Sequence, residues 1–443
     1  MIVIRCHLSD PFIDLQFSQR HVKCDEARPA CTRCGKAKFI CHYSPPKDVL
    51  DLRAKAISTA LIENPAELRC FEYFCRRTSL AIQGYLDSSF WGSLVLQVSH
   101  SEPCVRHAII ALGSLHEEFG SRDKFLPSDA QSLIEGDFAV EQYSKAVRHL
   151  RNSIASGSED AVHISLICAI LFICFDNLNG DTEKATTHLR SALSILCERQ
   201  ERKCDPSKEY LGNLADMLAR FDVQSSSYVD ARNFNVLVKP LDPLPESFID
   251  LNEAARFLVG DLNWVLHLDR SNDYYLASRA SDPLKKEIHA STFTYSSILA
   301  SRLRQWSTKY DALLAPLLAT MSSKDLRAST LLKIYHTSGT ILITVCHNSN
   351  ETAYDLCMGE FDKILRLSES LIAAQHEDSV DYTPFSCEMG LICALALTTR
   401  KCRHPVTRRK ALALLKQAPP REGPWDRKKT YLTSSRNLLI RHS

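Results

Sequence analysis

SEPCVRHAIIALGSLHEEF, residues 101–119, decides the fold. Val105, Ala108, Ile109, Leu112, Leu115 and Phe119 recur at i, i+3, i+4 and i+7, the signature of one buried helical stripe. Ser101-Glu102-Pro103 ahead of it reads as a cap with proline in the first turn. The same period returns at Tyr143, Ala146, Val147, Leu150 and Ile154, and again at Ala185, Leu189, Ala192, Leu193 and Leu196. Between these, residues 164–175 (ISLICAILFICF) are apolar on all sides. A bilayer needs about 20 such residues, so a fully buried helix is the expectation. Val236-Leu237-Val238 is the one tempting strand. With 45% hydrophobic residues, 24% charged and 14 Gly among 443, the composition favours helices over a turn-rich β fold. The expected fold class is all-α: stacked helix pairs without a tight repeat.

Working outward to the N-terminus, KCDEARPACTRCGKAKFICHY (23–43) contains Cys24-x6-Cys31-x2-Cys34-x6-Cys41. Zinc takes a tetrahedral set of soft thiolates, and a C-x2-C hairpin offers two at little ordering cost. Lys36 and Lys38 beside that hairpin ease thiolate formation. Disulfide pairing is the competing reading, disfavoured because Ile2-Val3-Ile4 is too short for a signal peptide. Other thiols, such as Cys168, Cys174 and Cys393, lie in apolar runs and read as core. Seven Lys and Arg between Arg20 and Lys47 face only Asp25 and Glu26, whereas the whole chain carries +2. Such local concentration is an electrostatic footprint of nucleic-acid binding.

The spacing resembles the fungal binuclear zinc cluster, in which six cysteines at C-x2-C-x6-C-x6-C-x2-C-x6-C hold two zinc ions. The resemblance implies that Cys31 bridges both ions, that Cys34 and Cys41 belong to the second, and that Cys24 belongs to the first. It also implies that Arg20 and His21 reach base edges in the major groove of double-stranded DNA carrying CGG-type triplets, with Lys23 on a phosphate. Arg28, Arg33, Lys36 and Lys38 would mostly touch backbone. The first cysteine pair of the pattern would stand at positions 14 and 17, where this chain has Asp14 and Phe17. Three explanations are open. LQFSQ (15–19) is what a pyrimidine-rich intron end followed by CAG would encode, so residues 1–19 are read as a misassigned exon. Alternatively the half-cluster is lost, or Asp14 or Cys6 substitutes as a ligand. For the chain as written, one zinc or none is expected.

Three further strings carry a second resemblance. They are ELRCFEYFCRRTSLAIQGYLDSSFW (67–91), LVLQVSHSEPCVRHAIIALGSLHE (94–117) and the LICAILFICFDNLNGD region (166–196). Together with CRHPVTRRKALALLKQAPPREGPWD (402–426) they resemble the fungal-specific transcription factor domain. The expected organisation is an atypical segment 1–19, a partial zinc module 20–47, a linker 48–66, a helical regulatory domain 67–426 and a divergent tail 427–443. Val49, Leu50, Leu52, Ile57 and Leu61 keep no heptad, which leaves a homodimer open. His116-Glu117 lacks the second histidine of a zinc hydrolase, no Walker loop or G-x-S-x-G elbow occurs, and Ser121-x-x-Lys124 has no companion motif. An enzyme is therefore not expected. His100, Arg106 and His107 are expected to hold helix ends, and the Arg408-Arg409-Lys410 and Arg427-Lys428-Lys429 strings to lie on solvated faces or to act as nuclear import signals. The resemblance implies a nuclear regulator of transcription, with the transcription machinery or co-regulators as partners and no membrane. A non-DNA-binding helical scaffold is the alternative.

Overall fold

The computed structural model describes residues 3–5, 40–42, 62–84, 90–122, 137–157, 160–200, 208–228, 241–277, 283–348, 350–377 and 385–440. The chain divides into two units, Met1–Asn64 and Pro65–Ser443. In the first unit β1 (Val3–Arg5) pairs in parallel with β2 (Ile40–His42), with Ile4 opposite Cys41.

The second unit is all-α. It opens with α1 (Pro65–Tyr73), which passes through a π-helical turn, Phe74–Thr78, into α2 (Ser79–Gln83). A second π turn, Phe90–Leu94, leads into α3 (Val95–Ser101), and Pro103 then begins α4 (Pro103–Arg122). Proline suits this first position because the N–H it lacks would have no partner within the helix. Ser101 does not cap α4 as the sequence suggested: it is the last residue of α3, and its hydroxyl donates back to the Val98 carbonyl at 3.4 Å. The corner is instead tied by Arg106, whose Nη1 donates to the carbonyls of Ser99 (2.9 Å) and His100 (3.3 Å).

The periodic stripes are buried where the spacing placed them. In α4, Val105, Ala108, Ile109, Leu112 and Leu115 are buried, and Phe119 is half-buried. On α5 (Asp137–Ala155) Ala146 is buried and Tyr143, Val147 and Leu150 are half-buried, while Ile154 at its end is 53% exposed. α6 (Ala161–Asn179) extends the apolar run to 19 residues. Among the described residues it is the one helix long and apolar enough to cross a membrane, yet 72% of its most apolar window is buried inside the fold. It ends in a Schellman motif. Gly180 takes φ 84°, its N–H donates to Asn177 at 3.1 Å, and that of Asp181 donates to Asp176 at 2.8 Å. α7 (Thr182–Gln200) and α8 (Lys208–Tyr228) complete this half.

The other half is a larger core built by α9 (Leu251–Ala277), α10 (Pro283–Leu314), α11 (Ser323–Val345) and α12 (Met358–Glu377), the last preceded by a 3-10 turn, Glu351–Cys357. Trp306 and Tyr310 stack with centroids 4.4 Å apart, and the Trp306 indole N–H donates to the Ala254 carbonyl at 2.8 Å. This satisfies the one polar group of a side chain only 1% exposed. Last come β3 (Phe385–Ser386), α13 (Leu391–Lys401), α14 (Pro405–Leu415), β4 (Arg421–Glu422), β5 (Trp425–Asp426) and α15 (Arg427–Ile440). The three two-residue strands form one small sheet in the order β3-β4-β5. Val236-Leu237-Val238 lies outside the described residues, as do the heptad test positions between Val49 and Leu61 and the Asp123 and Lys124 of the S-x-x-K string.

Gly113 stands in the middle of α4, where glycine costs about 1 kcal/mol relative to alanine. Close approach is the reason: a Cβ there would lie 2.2 Å from the Cys70 carbonyl oxygen of α1. Gly113→Ala should therefore destabilise the domain by about 1–3 kcal/mol, seen as a lowered Tm in calorimetry. Gly260→Ala, within α9 where nothing lies within 4 Å of the added Cβ, should instead stabilise by about 0.5–1 kcal/mol.

Candidate metal centre and the polar clusters of the helical unit

Most of the metal-ligand and DNA-contact positions anticipated from the sequence lie outside the described residues: Arg20, His21, Lys23, Cys24, Arg28, Cys31, Arg33, Cys34, Lys36 and Lys38. Of Cys41 the backbone alone is described, as the middle residue of β2. The chemistry of the donor set can still be tested. Two zinc ions sharing two bridging thiolates need six cysteines, and Asp14 and Phe17 occupy two of those six places. Four thiolates make one tetrahedral set. The residues of this chain fit one zinc and do not fit two.

Among the described residues, the other thiols do not enlarge that set: no group of three or more His, Cys, Asp or Glu side chains could hold a metal. Cys168 and Cys174 are buried in α6 and Cys393 is half-buried in α13, all as free thiols, as their apolar surroundings required. Burial raises the Cys393 thiol above its ordinary pKa, which keeps it protonated and inert.

The helical unit holds its polar residues in clusters that join helices. Gln142 of α5 donates to Glu67 of α1 at 2.8 Å and faces His107 of α4 at 2.7 Å; Lys145 reaches the same Glu67 at 3.2 Å. Burial pushes the Glu67 carboxyl up, but Gln142 and Lys145 together outweigh it, and the group lies below its ordinary pKa. So Arg106 holds a helix end, as anticipated, whereas His107 joins two helices. Tyr143 Oη of α5 and His188 Nε2 of α7 are 2.9 Å apart, with His188 3.5 Å from Asp176 of α6. Burial pushes the Asp176 carboxyl up to about 7.

The densest junction is the β4–β5 hairpin. Arg421 donates to the Asn177 carbonyl at the end of α6 (2.7 Å) and to Asp426 (2.7 Å). Glu422, 3% exposed, accepts the first two N–H groups of α13, from Leu391 (3.1 Å) and Ile392 (2.7 Å). The Trp425 indole donates to Ser227 of α8 at 3.2 Å. A six-residue turn thereby ties α6, α8 and α13 together. Nearby, Arg408 departs from the solvated face expected of it. It is 3% exposed, with Nε donating to the Thr399 carbonyl at 3.2 Å, because α14 packs that side of its first turns onto α13. Nothing in the local sequence marks this inward turn.

Two shallow hollows lie in this unit. One is lined by Ile173, Asn177, Thr186, Phe221, Gln224 and Tyr228, among others, and the second by Arg220, Val223, Leu331, Tyr335, Glu388 and Met389, among others. Arg220 and Glu388 pair across the second at 3.0 Å. A Ser–His contact, Ser296 with His347, sits inside the packing of α10 with Ser296 6% exposed, away from both hollows.

Along the sequence a cysteine-rich basic segment precedes a large helical unit. Residues 69–376 match the family model described as fungal specific transcription factor domain, and residues 18–49 match the fungal Zn(2)-Cys(6) binuclear cluster domain. The first match covers more than half of the chain, and the chain belongs to the fungal specific transcription factor domain family. It is similar to the transcription regulator lscL of Purpureocillium lilacinum, 29% identical over 203 residues that make up 41% of this chain and 48% of that protein. It is also similar to the aspercryptin biosynthesis cluster-specific transcription regulator atnN of Emericella nidulans. Identity there is 24% over 397 residues, 80% of this chain and 62% of that protein. The aligned parts thus span about half to three-fifths of these curated relatives.

Burial pushes the Glu422 carboxyl up to about 7, against the pull of the two amide N–H groups it accepts. A carboxyl raised on folding stabilises most at pH values below its free pKa, and that contribution is lost as pH climbs towards the folded value. Glu422→Gln has no such loss. The variant will be less stable than the parent at pH 5, and its deficit should shrink by up to about 3 kcal/mol by pH 8, read as the difference in Tm at the two pH values.

Proposed function

We propose that the chain is a zinc-dependent, sequence-specific regulator that binds double-stranded DNA. Zinc would be held by Cys24, Cys31, Cys34 and Cys41 of a module over residues 20–47, joined by a linker (48–66) to a regulatory domain (67–426). The observation that carries this reading is the Cys24-x6-Cys31-x2-Cys34-x6-Cys41 spacing inside the segment that matches the zinc-cluster model. Thiolate ligation supplies folding free energy to so small a basic segment. Arg20 and His21 would then contact bases of CGG-type triplets, Lys23 a phosphate, and Arg28, Arg33, Lys36 and Lys38 mostly the backbone. The reading places the protein in the nucleus, with co-regulators as partners and a second copy of the chain as a candidate one. The name of the atnN relative ties that protein to a biosynthetic gene cluster, and by that likeness we infer targets in secondary metabolism. A regulator is not expected to be an enzyme.

A second reading is favoured by one observation. Asp14 and Phe17 stand where two thiolates of the full cluster would be, and a chain holding half a cluster would act as a helical scaffold that no longer reads DNA.

Metal analysis of the purified chain should find no more than one zinc per molecule, and Asp14→Cys with Phe17→Cys should raise the count to two. In mobility shifts on CGG-containing duplexes, Cys34→Ser or a chelator should abolish the specific complex, while the restored pair should tighten it about ten-fold or more. Absence of binding by both the parent and the restored form would leave the scaffold reading standing.

A further inference from the structure

Thirteen of the chain's 54 Lys and Arg fall between Arg400 and Arg441, where Glu422 and Asp426 are the sole acids. Since the whole chain carries only +2, the part before residue 400 is net acidic. Neither of those two acids offsets surface charge. Glu422 is buried on the α13 amides, and Asp426 is engaged by Arg421.

The fold sorts the basic residues by role. Arg408, Arg421 and Arg427 turn inward, onto the carbonyls of Thr399, Asn177 and Ala418. Arg403 and Lys410 are matched by Asp355 (2.7 Å) and Glu369 (2.9 Å). Of the other eight, Arg400 lies 5.7 Å from the Trp425 ring, Lys401 5.1 Å from that of Tyr354, and Arg441 outside the described residues. The remaining Arg409, Lys416, Lys428, Lys429 and Arg436 are all exposed, and among the described residues none of these five has an acidic partner within ion-pair distance. Three of the five lie on α15. Its inner face is pinned by Thr430 and Ser434, both buried, with Ser434 Oγ 2.9 Å from Thr399 Oγ1. Lys428, Lys429, Leu432, Thr433 and Arg436 therefore look outward. Lys416 joins them at the end of α14, its ammonium 5.0 Å from the Tyr431 ring of α15. Lys429 and Arg436 are seven residues apart, about 10.5 Å along the helix axis. Phosphates on one strand of a duplex advance about 3.4 Å per step, so the two cations span about three steps.

We propose that the outer face of α15, with Lys416 beside it, is a sequence-independent docking surface for the phosphate backbone of double-stranded DNA, separate from the cysteine module. Unpaired cations on a rigid helix suit a polyanion of regular charge spacing. A linear basic signal fits less well, since the Arg408-Arg409-Lys410 string is split by the inward turn of Arg408. Backbone contacts of this kind release counterions and carry no base information.

The test uses the full chain with Cys31→Ser and Cys34→Ser, and a fluorescent 20-base-pair duplex lacking CGG, followed by anisotropy from 50 to 200 mM salt. This variant should retain binding with a steep salt dependence. Adding K428E, K429E and R436E should weaken it at least ten-fold at 50 mM salt and reduce the slope of log affinity against log salt by about three. Lys→Gln and Arg→Gln at the same positions should act in the same direction with an unchanged melting temperature, which separates charge from folding. Unaltered affinity and slope after charge reversal would overturn the proposal. Binding of a polyglutamate peptide in place of the duplex would also overturn it, and would point to an acidic protein partner.

Discussion

Burial of α6 is the constraint on which the helical unit depends. A helix apolar around its whole circumference has no solvent face, so neighbours must cover every side. α4, α5, α7 and α8 all pack against it. Each fully buried Leu, Ile or Phe in it contributes about 1.5–3 kcal/mol relative to exposure, and Leu166, Ile167, Ile170, Leu171, Phe172 and Phe175 are all buried. The stripes of the flanking helices are amphipathic because their other faces remain in water.

The C-terminal hairpin closes what α6 begins. Arg421 adds a second donor to the Asn177 carbonyl where α6 stops, Glu422 takes the orphan amides where α13 starts, and Trp425 reaches α8. Helix ends leave unpaired backbone groups that must be satisfied when buried. Here Arg421, 244 positions downstream in sequence, joins the Gly180 and Asp181 amides in satisfying the end of α6. The same stretch that anchors the halves also carries the strongest local excess of positive charge. Anchoring and charge are divided by direction: inward arginines bind carbonyls, and outward lysines face solvent.

The two family matches are separated along the chain. The zinc-cluster match occupies residues 18–49, and the helical family match begins at residue 69. The donor set in the first is short by two thiolates, a deficit that follows from residue identity alone. The thiols of the second lie within the helical packing, Cys104 against Cys168 among them, and among the described residues none joins a group that could hold a metal.

The all-α class, the stripes in α4, α5 and α7 and the buried run of α6 were legible in the sequence, because helical periodicity is a local property. The family was legible too, in the cysteine spacing and in the SEPxVRH string. Other features depended on contacts between distant residues and left no local mark. Ser101 ends one helix instead of capping the next, since Arg106 already ties that corner. Arg408 is buried within a string that reads as solvated, and His107 joins two helices. The excess of Lys and Arg after residue 400 was countable from the sequence. Which of those side chains remain free to meet another molecule was decided by tertiary structure alone, because their partners are carbonyls and carboxylates brought close only when the helices pack.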